Sequence, residues 1–184
     1  MQPILLFRFH TTPPEALDLL VSPLREAFGL PVRPVAQPIK LTARGHYPER
    51  GQWLARALLQ QVAAAPGEAP AEGVLQQAQR QHGAAARLAV VDQDLFATGK
   101  ACLNFVFGEA NASQQCAVMS IARLDDAFYG LPPTSPGAFQ ARCATEAVHE
   151  LGHVFGLPHC RSRRCVMWFS NTLEETDAKG LMEI

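Results

Sequence analysis

The apolar positions of this chain follow two periods, one near 2 and one near 3.6, and the switches between them outline an alternation of strands and helices. Residues 4–9 form an apolar run broken only by Arg8; they predict a first strand and lack the basic head and cleavage site of a secretory leader. Pro13-Pro14 opens a helix that runs to about Phe28 and ends at Gly29, with Pro23 as a candidate kink. Residues 32–39 are extended and punctuated by proline, which suits an edge strand. Residues 52–65 carry strong helix formers throughout and predict a helix. Residues 66–86 are rich in Ala, Gly, Pro and Gln and read as a loop with a short helix at 74–81. Residues 88–91 predict a buried strand followed by Asp92 and Asp94, whose usual part after a strand is to cap or turn and whose alternative part is a catalytic carboxylate pair. Thr98-Gly99-Lys100 is the turn before a strand at 103–107, and a further strand is expected at 116–121.

Ser135-Pro136 has the form of an N-cap and first helical residue, so a helix is expected to start there. On it, Ala144, Val148, Leu151 and Phe155 recur at helical spacing and should bury one face, while Glu146, His149, Glu150 and His153 share the other. His149 and His153 stand one turn apart and can reach one metal ion; Glu150, on the adjoining edge, can meet water at that ion without ligating it. Gly156 can end the helix in a left-handed conformation, Pro158 cannot continue it, and His159 then approaches from another direction. Three protein ligands and an open fourth position distinguish a catalytic zinc site from a closed structural one. A lone HExxH is often an ordinary helix with two surface histidines, but the addition of Gly156 and His159 brings the accidental probability to the order of 10⁻⁵. Met167, eight residues after His159, is either ordinary core or a turn that packs its thioether beneath the metal. Glu146 is a candidate acceptor for the free ring N–H of His149, or a surface partner of Arg142. Tyr129 is a candidate oxyanion donor or an ordinary buried aromatic. His10, His46 and His82 have no partner pattern, and Asn171 with Glu174 suggests the cap of a last short helix.

The run from His149 to His159 resembles the metzincin zinc motif. Its continuation Cys160-Arg161-Ser162-Arg163-Arg164-Cys165-Val166-Met167 is similar to the archaemetzincin branch, where CxxxxC follows the third histidine and CxM contains the Met-turn. The segments at 105–110, 128–132 and 169–177 are also similar to that branch, so the resemblance spans most of residues 88–184. It implies an α/β (α+β) metzincin-like fold: a twisted mixed sheet with flanking helices, an active-site helix and a small C-terminal lobe. It implies one metalloprotease domain over 1–184, with an upper part at about 1–157 and a lower part at about 158–184, and an edge strand above the metal that pairs with extended substrate. Either the strand at 103–107 or that at 116–121 would be that edge. The resemblance further implies a second, structural zinc held by Cys160, Cys165 and a later CxxC pair. By the branch's spacing that pair falls at about position 185, after Ile184, so this site is incomplete within the sequence.

With 184 residues, 48% hydrophobic and 18% charged, the chain is long enough for one domain with a substantial core. A net charge of −1 gives no electrostatic case for nucleic acid or an anionic membrane, no apolar run approaches a membrane span, and we expect a monomer. Arg161-Ser162-Arg163-Arg164 reads as a solvated loop, with attraction of acidic substrates as the lesser alternative. Five cysteines without a secretory signal suggest reduced thiols in a cytoplasm, with Cys102, Cys116 and Cys143 as small buried residues. A disulfide between Cys160 and Cys165 is the minor alternative to metal ligation. The expected function is a zinc-dependent peptidase: a His₃ zinc makes water acidic, Glu150 takes its proton, and a peptide carbonyl is attacked. The alternative is a zinc-bearing, peptide-binding protein with weak or no turnover. A zinc ribbon for nucleic acid is disfavoured by the missing cysteines and the near-zero net charge.

Overall fold

The computed structural model describes residues 1–66, 84–98 and 104–180. Among these, a five-stranded mixed sheet runs in the order β2-β1-β5-β8-β7. It contains β1 (Ile4–Arg8), β2 (Val32–Pro34), β5 (Ala86–Val91), β7 (Gly108–Asn111) and β8 (Cys116–Ser120). The first four strands in that order are mutually parallel, and β7 joins antiparallel to β8 at the edge. A small second sheet holds β3 (His46–Tyr47), β4 (Gln52–Leu54) and β6 (Leu95–Phe96).

The period-2 alternation of β1 shows why both sheet faces are covered. Ile4 and Leu6 point into a core shared with α1 (Glu15–Phe28) and α3 (Pro136–Val154), where Leu17, Leu20, Leu24, Ala147 and Leu151 are buried. Leu5, Phe7 and Phe9 point the other way, onto Leu58, Leu59 and Val62 of α2 (Ala55–Ala64). Strand β5 is buried along its whole length, as a parallel strand packed on both faces must be. Helix α1 ends at Gly29 (φ 61°), in the left-handed conformation expected there, and contains Pro23. No helix among the described residues is long and apolar enough to cross a membrane.

Four expectations need correction. Residues 52–54 are strand β4, not the start of the helix, because Trp53 and Leu54 pair with Leu95 and Phe96 forty residues on. That long-range pairing overrides their helix propensity. The strand expected at 103–107 lies further along, at Gly108–Asn111; within 104–107 only Val106 makes an isolated bridge, to Leu95. The sheet's edges are therefore β2, within the 32–39 segment expected at an edge, and β7, which is neither of the two strands expected above the metal; β8 is interior. The last helix, α4 (Leu173–Asp177), is capped by Thr172, whose hydroxyl accepts the Glu175 N–H at 3.1 Å, while Glu175 accepts the Asn171 N–H at 2.8 Å. The cap thus sits one residue later than the expected Asn171–Glu174 pair. The short helix expected at 74–81, Cys102 and His82 lie outside the described residues.

Candidate metal centre and active-site cleft

Helix α3 begins where Ser135-Pro136 predicts, with the Ser135 hydroxyl accepting the Ala138 N–H. Its expected division into a buried and an open face does not hold. Ala144, Val148 and Leu151 are buried, but so are Arg142, Glu146, His149 and Glu150, because strands cover one side and the C-terminal segment the other. Phe155 lies past the last turn, half exposed, against Phe28 with ring centroids 5.3 Å apart.

The imidazoles of His149 and His153 meet with their Nε2 atoms 3.1 Å apart. His149 Nδ1 lies 2.8 Å from Val166 O and His153 Nδ1 lies 2.8 Å from Leu157 O. A carbonyl oxygen only accepts, so each Nδ1 carries the proton and donates it. With both rings in the neutral form, the two Nε2 atoms would present lone pairs to each other. Burial holds the His149 pKa down, to about 3, so this ring stays neutral near pH 7. Two facing lone pairs at that separation repel unless a proton or a metal cation sits between them. The His159 ring completes the group, with centroids 5.4 Å from His149 and 4.6 Å from His153, and one nitrogen from each ring falls within 4.8 Å of the others. The three-nitrogen donor set fits zinc, and each helical ring is braced by a carbonyl, as metal-ligating histidines are. His159 is exposed, which leaves the site open on one side. Gly156, at φ 92°, makes the reversal that brings His159 back.

Glu150 is buried beside these rings, and its Oε2 has no hydrogen-bond partner. Burial first, then the neighbouring Glu146 and Glu109 carboxylates, push its pKa well above the usual carboxylate range, while Lys179 opposes them. Gly108 of β7 makes this placement possible: a Cβ there would come 2.6 Å from Glu150 Cγ. Met167 is buried against Gly152 of α3, where any added Cβ would overlap its sulfur. The resulting cleft, about 230 Å³, lies between β7, the histidines and the segment Phe169-Ser170-Asn171.

Strand β7 also presents a row of free backbone groups to the cleft. The Ser120 N–H donates to Phe107 O at 2.7 Å, and the register pairs Gly108 with Met119 and Glu109 with Val118. In an antiparallel ladder alternate residues turn their N–H and C=O toward the neighbour, so Phe107, Glu109 and Asn111 face β8. Gly108 and Ala110 turn theirs outward.

The remaining candidates fall in different places. Glu146 does not accept from His149, whose N–H goes to Val166 O, and it is not a surface partner of Arg142. It is buried with its carboxylate 3.9 Å from Lys179 Nζ, and burial raises its pKa. Tyr129 is half exposed, its hydroxyl 3.4 Å from Arg123 O, and it does not line the cleft. The Cys160 and Cys165 thiols are hydrogen-bonded to each other, Cys160 Sγ accepts from Ser162 N–H and Cys165 Sγ from Met167 N–H, each at 3.4 Å. Neither is in a disulfide, and Cys116 and Cys143 are buried in the core, where desolvation pushes the Cys143 thiol up to about 12. Asp94 is held by Arg123 at 2.6 and 2.8 Å and Asp92 accepts from Thr11 and Gln93, all through side chains, so neither caps a backbone turn as expected, and neither lines the cleft. His10 Nδ1 accepts the Leu41 N–H, and His46 stacks on Trp53. Residues 161–164 form an exposed loop. Gly108, Glu109 and Lys179 carried no periodic signal; the first two reach the cleft through an edge strand, and Lys179 lies behind it against Glu146, placements that local sequence does not encode.

A mixed sheet over a helix with paired histidines, a glycine reversal and a third histidine define a metzincin-like class of metal-site protein. The family model described as Peptidase family M54 matches residues 38–181, and the chain belongs to that family. It is similar to the archaemetzincin of Pyrococcus abyssi, 41% identical over 134 residues, which cover 73% of this chain and 62% of that protein. The match thus spans less than two thirds of that relative's length. The solved structure of the archaemetzincin from Methanopyrus kandleri superposes with a TM-score of 0.74 at 33% identity, over 98% of this chain and 87% of that one. That of a zinc-dependent peptidase from Methanocorpusculum labreanum superposes with a TM-score of 0.81 at 26% identity, over 97% and 94%. These relationships bear out the archaemetzincin resemblance read from the C-terminal half.

Proposed function

We propose that this chain is a zinc-dependent peptidase in which His149, His153 and His159 hold one catalytic zinc and Glu150 is the general base. The observation that carries the reading is the pair of facing Nε2 atoms 3.1 Å apart, each with its proton committed to a carbonyl on the far side of the ring. Membership of Peptidase family M54 and similarity to a protein described as a zinc-dependent peptidase support it. When bound, zinc supplies Lewis acidity, which makes water a stronger acid and draws electron density from a carbonyl.

This chain's residues supply the rest. Glu150 Oε2, buried and without a partner, is free to take a proton from water. A proton affinity raised by burial favours that transfer, and the protonated carboxyl can then give the proton to the departing amine, which is the stronger base. The elements of water are thereby divided between the new carboxylic acid and the new amine. The outward N–H and C=O groups of Gly108 and Ala110 hold an extended peptide by strand addition. Met167, packed against Gly152, serves as the apolar floor. Residues 158–180 act as the lower wall of a single domain whose upper wall is the sheet. The three histidines account for one zinc, and Cys160 and Cys165 would supply two of the four thiolates that a closed second site needs. None of the four described cysteines is in a disulfide, and the reading includes a cytoplasmic location.

The test is a zinc assay joined to a cleavage assay. The purified chain should contain about one zinc per molecule, and His153→Ala should lose it. Glu150→Gln should keep the metal and cut peptide hydrolysis at least about a hundredfold. A chain that cannot be loaded with metal defeats the proposal; a loaded chain that cleaves no more than Glu150→Gln leaves a zinc-bearing peptide binder.

A further inference from the structure

The peptidase reading leaves open which peptides the cleft prefers. Side chains on β7 alternate across the sheet. Gly108 and Ala110 lie on the α3 side, against Glu150. Glu109 and Asn111 lie on the α2 side, where they line a second cleft of about 340 Å³ with Arg56, Gln60, Ser113 and Gln114. Glu109 and Ala110 border both clefts, so this part of β7 forms the rim where an added strand would lie, and of the two only Glu109 carries a charge. Its side chain is only 25% exposed, and its partner Arg56 is 72% exposed with a loose 3.9 Å separation. Such a pair is screened by water and holds Glu109 weakly. Burial accordingly raises the Glu109 pKa against the smaller, opposing effect of Arg56.

Geometry then selects a substrate position. An added antiparallel strand bonds to the outward groups of Gly108 and Ala110, so the residue directly across from Glu109 is in the non-hydrogen-bonded position, where Cβ atoms approach most closely. Its side chain falls on the same sheet face as Glu109, at the mouth of the α2-side cleft. We propose that Glu109 is a specificity-determining residue of this cleft, selecting peptides with a lysine or arginine at the position paired with it and rejecting aspartate or glutamate there. This inference rests on the peptidase reading and adds a substrate class to it. A basic side chain replaces the screened Arg56 contact with an ion pair shielded by the substrate backbone, whereas an acidic one places two carboxylates directly opposite, which is destabilising.

The experiment uses the zinc-loaded full chain and a decapeptide library in which Lys, Gln and Glu are scanned through each position. At one position Lys should exceed Glu by about tenfold in kcat/KM, the sum of an opposite-charge gain and a like-charge penalty. Glu109→Gln should flatten the preference, Glu109→Asp should keep its sign, and Glu109→Lys should reverse it, with melting curves confirming that each variant is folded. Cleavage without charge preference at any position overturns the inference. So does a basic preference that survives Glu109→Gln, or an acidic preference that Arg56→Ala removes. If the wild type cleaves nothing, the peptidase reading fails separately, and the same peptides titrated into zinc-loaded Glu150→Gln decide the selectivity. There the Lys peptide should bind about tenfold tighter than the Glu peptide, and adding Glu109→Gln should abolish the difference. Equal binding, or none, overturns it.

Discussion

Two ion pairs tie helix α3 to the C-terminal segment, one with a half-exposed carboxylate and one buried throughout, and they are built differently. Arg142 forms a bidentate pair with Asp177 at 2.7 and 2.8 Å, donates to Leu124 O and Thr134 Oγ1 at 3.0 and 3.1 Å, and lies 3.3 Å from Asp126. One turn further along the helix, Glu146 faces Lys179 at 3.9 Å, with neither Lys179 Nζ nor Glu146 Oε2 in a hydrogen bond. Hydrogen bonding to Asp177 raises the Arg142 pKa, whereas burial lowers that of Lys179 and raises that of Glu146. The first pair is satisfied and lies away from the cleft; in the second, Glu146 lines the cleft wall beside Glu150. Buried charge without hydrogen bonds costs stability, and structures tolerate it where chemistry needs it. The contrast separates residues that hold the two parts of the molecule together from residues that shape the electrostatics of the site.

The sharpest way to break this contrast is to remove Arg142. Arg142→Met leaves Asp126 and Asp177 without their cation, and we expect a loss of about 3 kcal/mol, the low end for a broken buried pair because Asp177 is half exposed. Urea unfolding of the zinc-loaded protein measures it, and zinc content should not change. A loss below about 1 kcal/mol would show that the hydrogen-bonded pair is not what fastens α3 to the C-terminal segment.

A double-mutant cycle on the other pair should give a smaller effect of a different kind. Lys179→Met alone strands the Glu146 carboxylate and should cost about 2 kcal/mol. Combining it with Glu146→Gln should restore stability to within about 1 kcal/mol of wild type, since a poorly satisfied pair gives little net stabilisation. Additive losses would mean that the two residues do not interact.

The smallest effect is on pH dependence near the first pair. Asp125 accepts the Ala127 and Thr134 N–H groups, and these backbone bonds lower its pKa. A carboxyl with a depressed folded pKa contributes stability that is present above the ordinary aspartate value, about 4, and is lost as pH falls through the lower folded value. The melting temperature of wild type should therefore fall more between pH 6 and pH 3 than that of Asp125→Asn. Equal slopes for the two proteins would remove Asp125 from the account.

Legibility followed the range of the interactions. Strand β1, helix α1 with its glycine stop, and the start of α3 at Ser135 depend on neighbours in sequence, and all three stand where the pattern predicts. Residues 52–54 and 104–111 were misplaced because their state depends on partners some forty residues away or on the adjoining strand. Glu146 was read as an acceptor for His149 or a surface partner of Arg142 because helical periodicity reports that α3 has two sides, not that both are covered.

What the sequence determined by itself was the donor set: two histidines and a glutamate on one stretch of helix, a glycine reversal and a third histidine beyond it. Helix pitch and the freedom of glycine are properties of the local chain, so that spacing is enough to state the chemistry. Only the tertiary structure decided which ring nitrogens keep their protons, through the Val166 and Leu157 carbonyls, and which strand forms the rim of the cleft. It likewise decided that Gly108 must lack a side chain to admit Glu150, and that Lys179 lies against Glu146. Most of these are contacts between segments far apart in the chain, formed by burial and hydrogen bonding after the core assembles, and no local period encodes them.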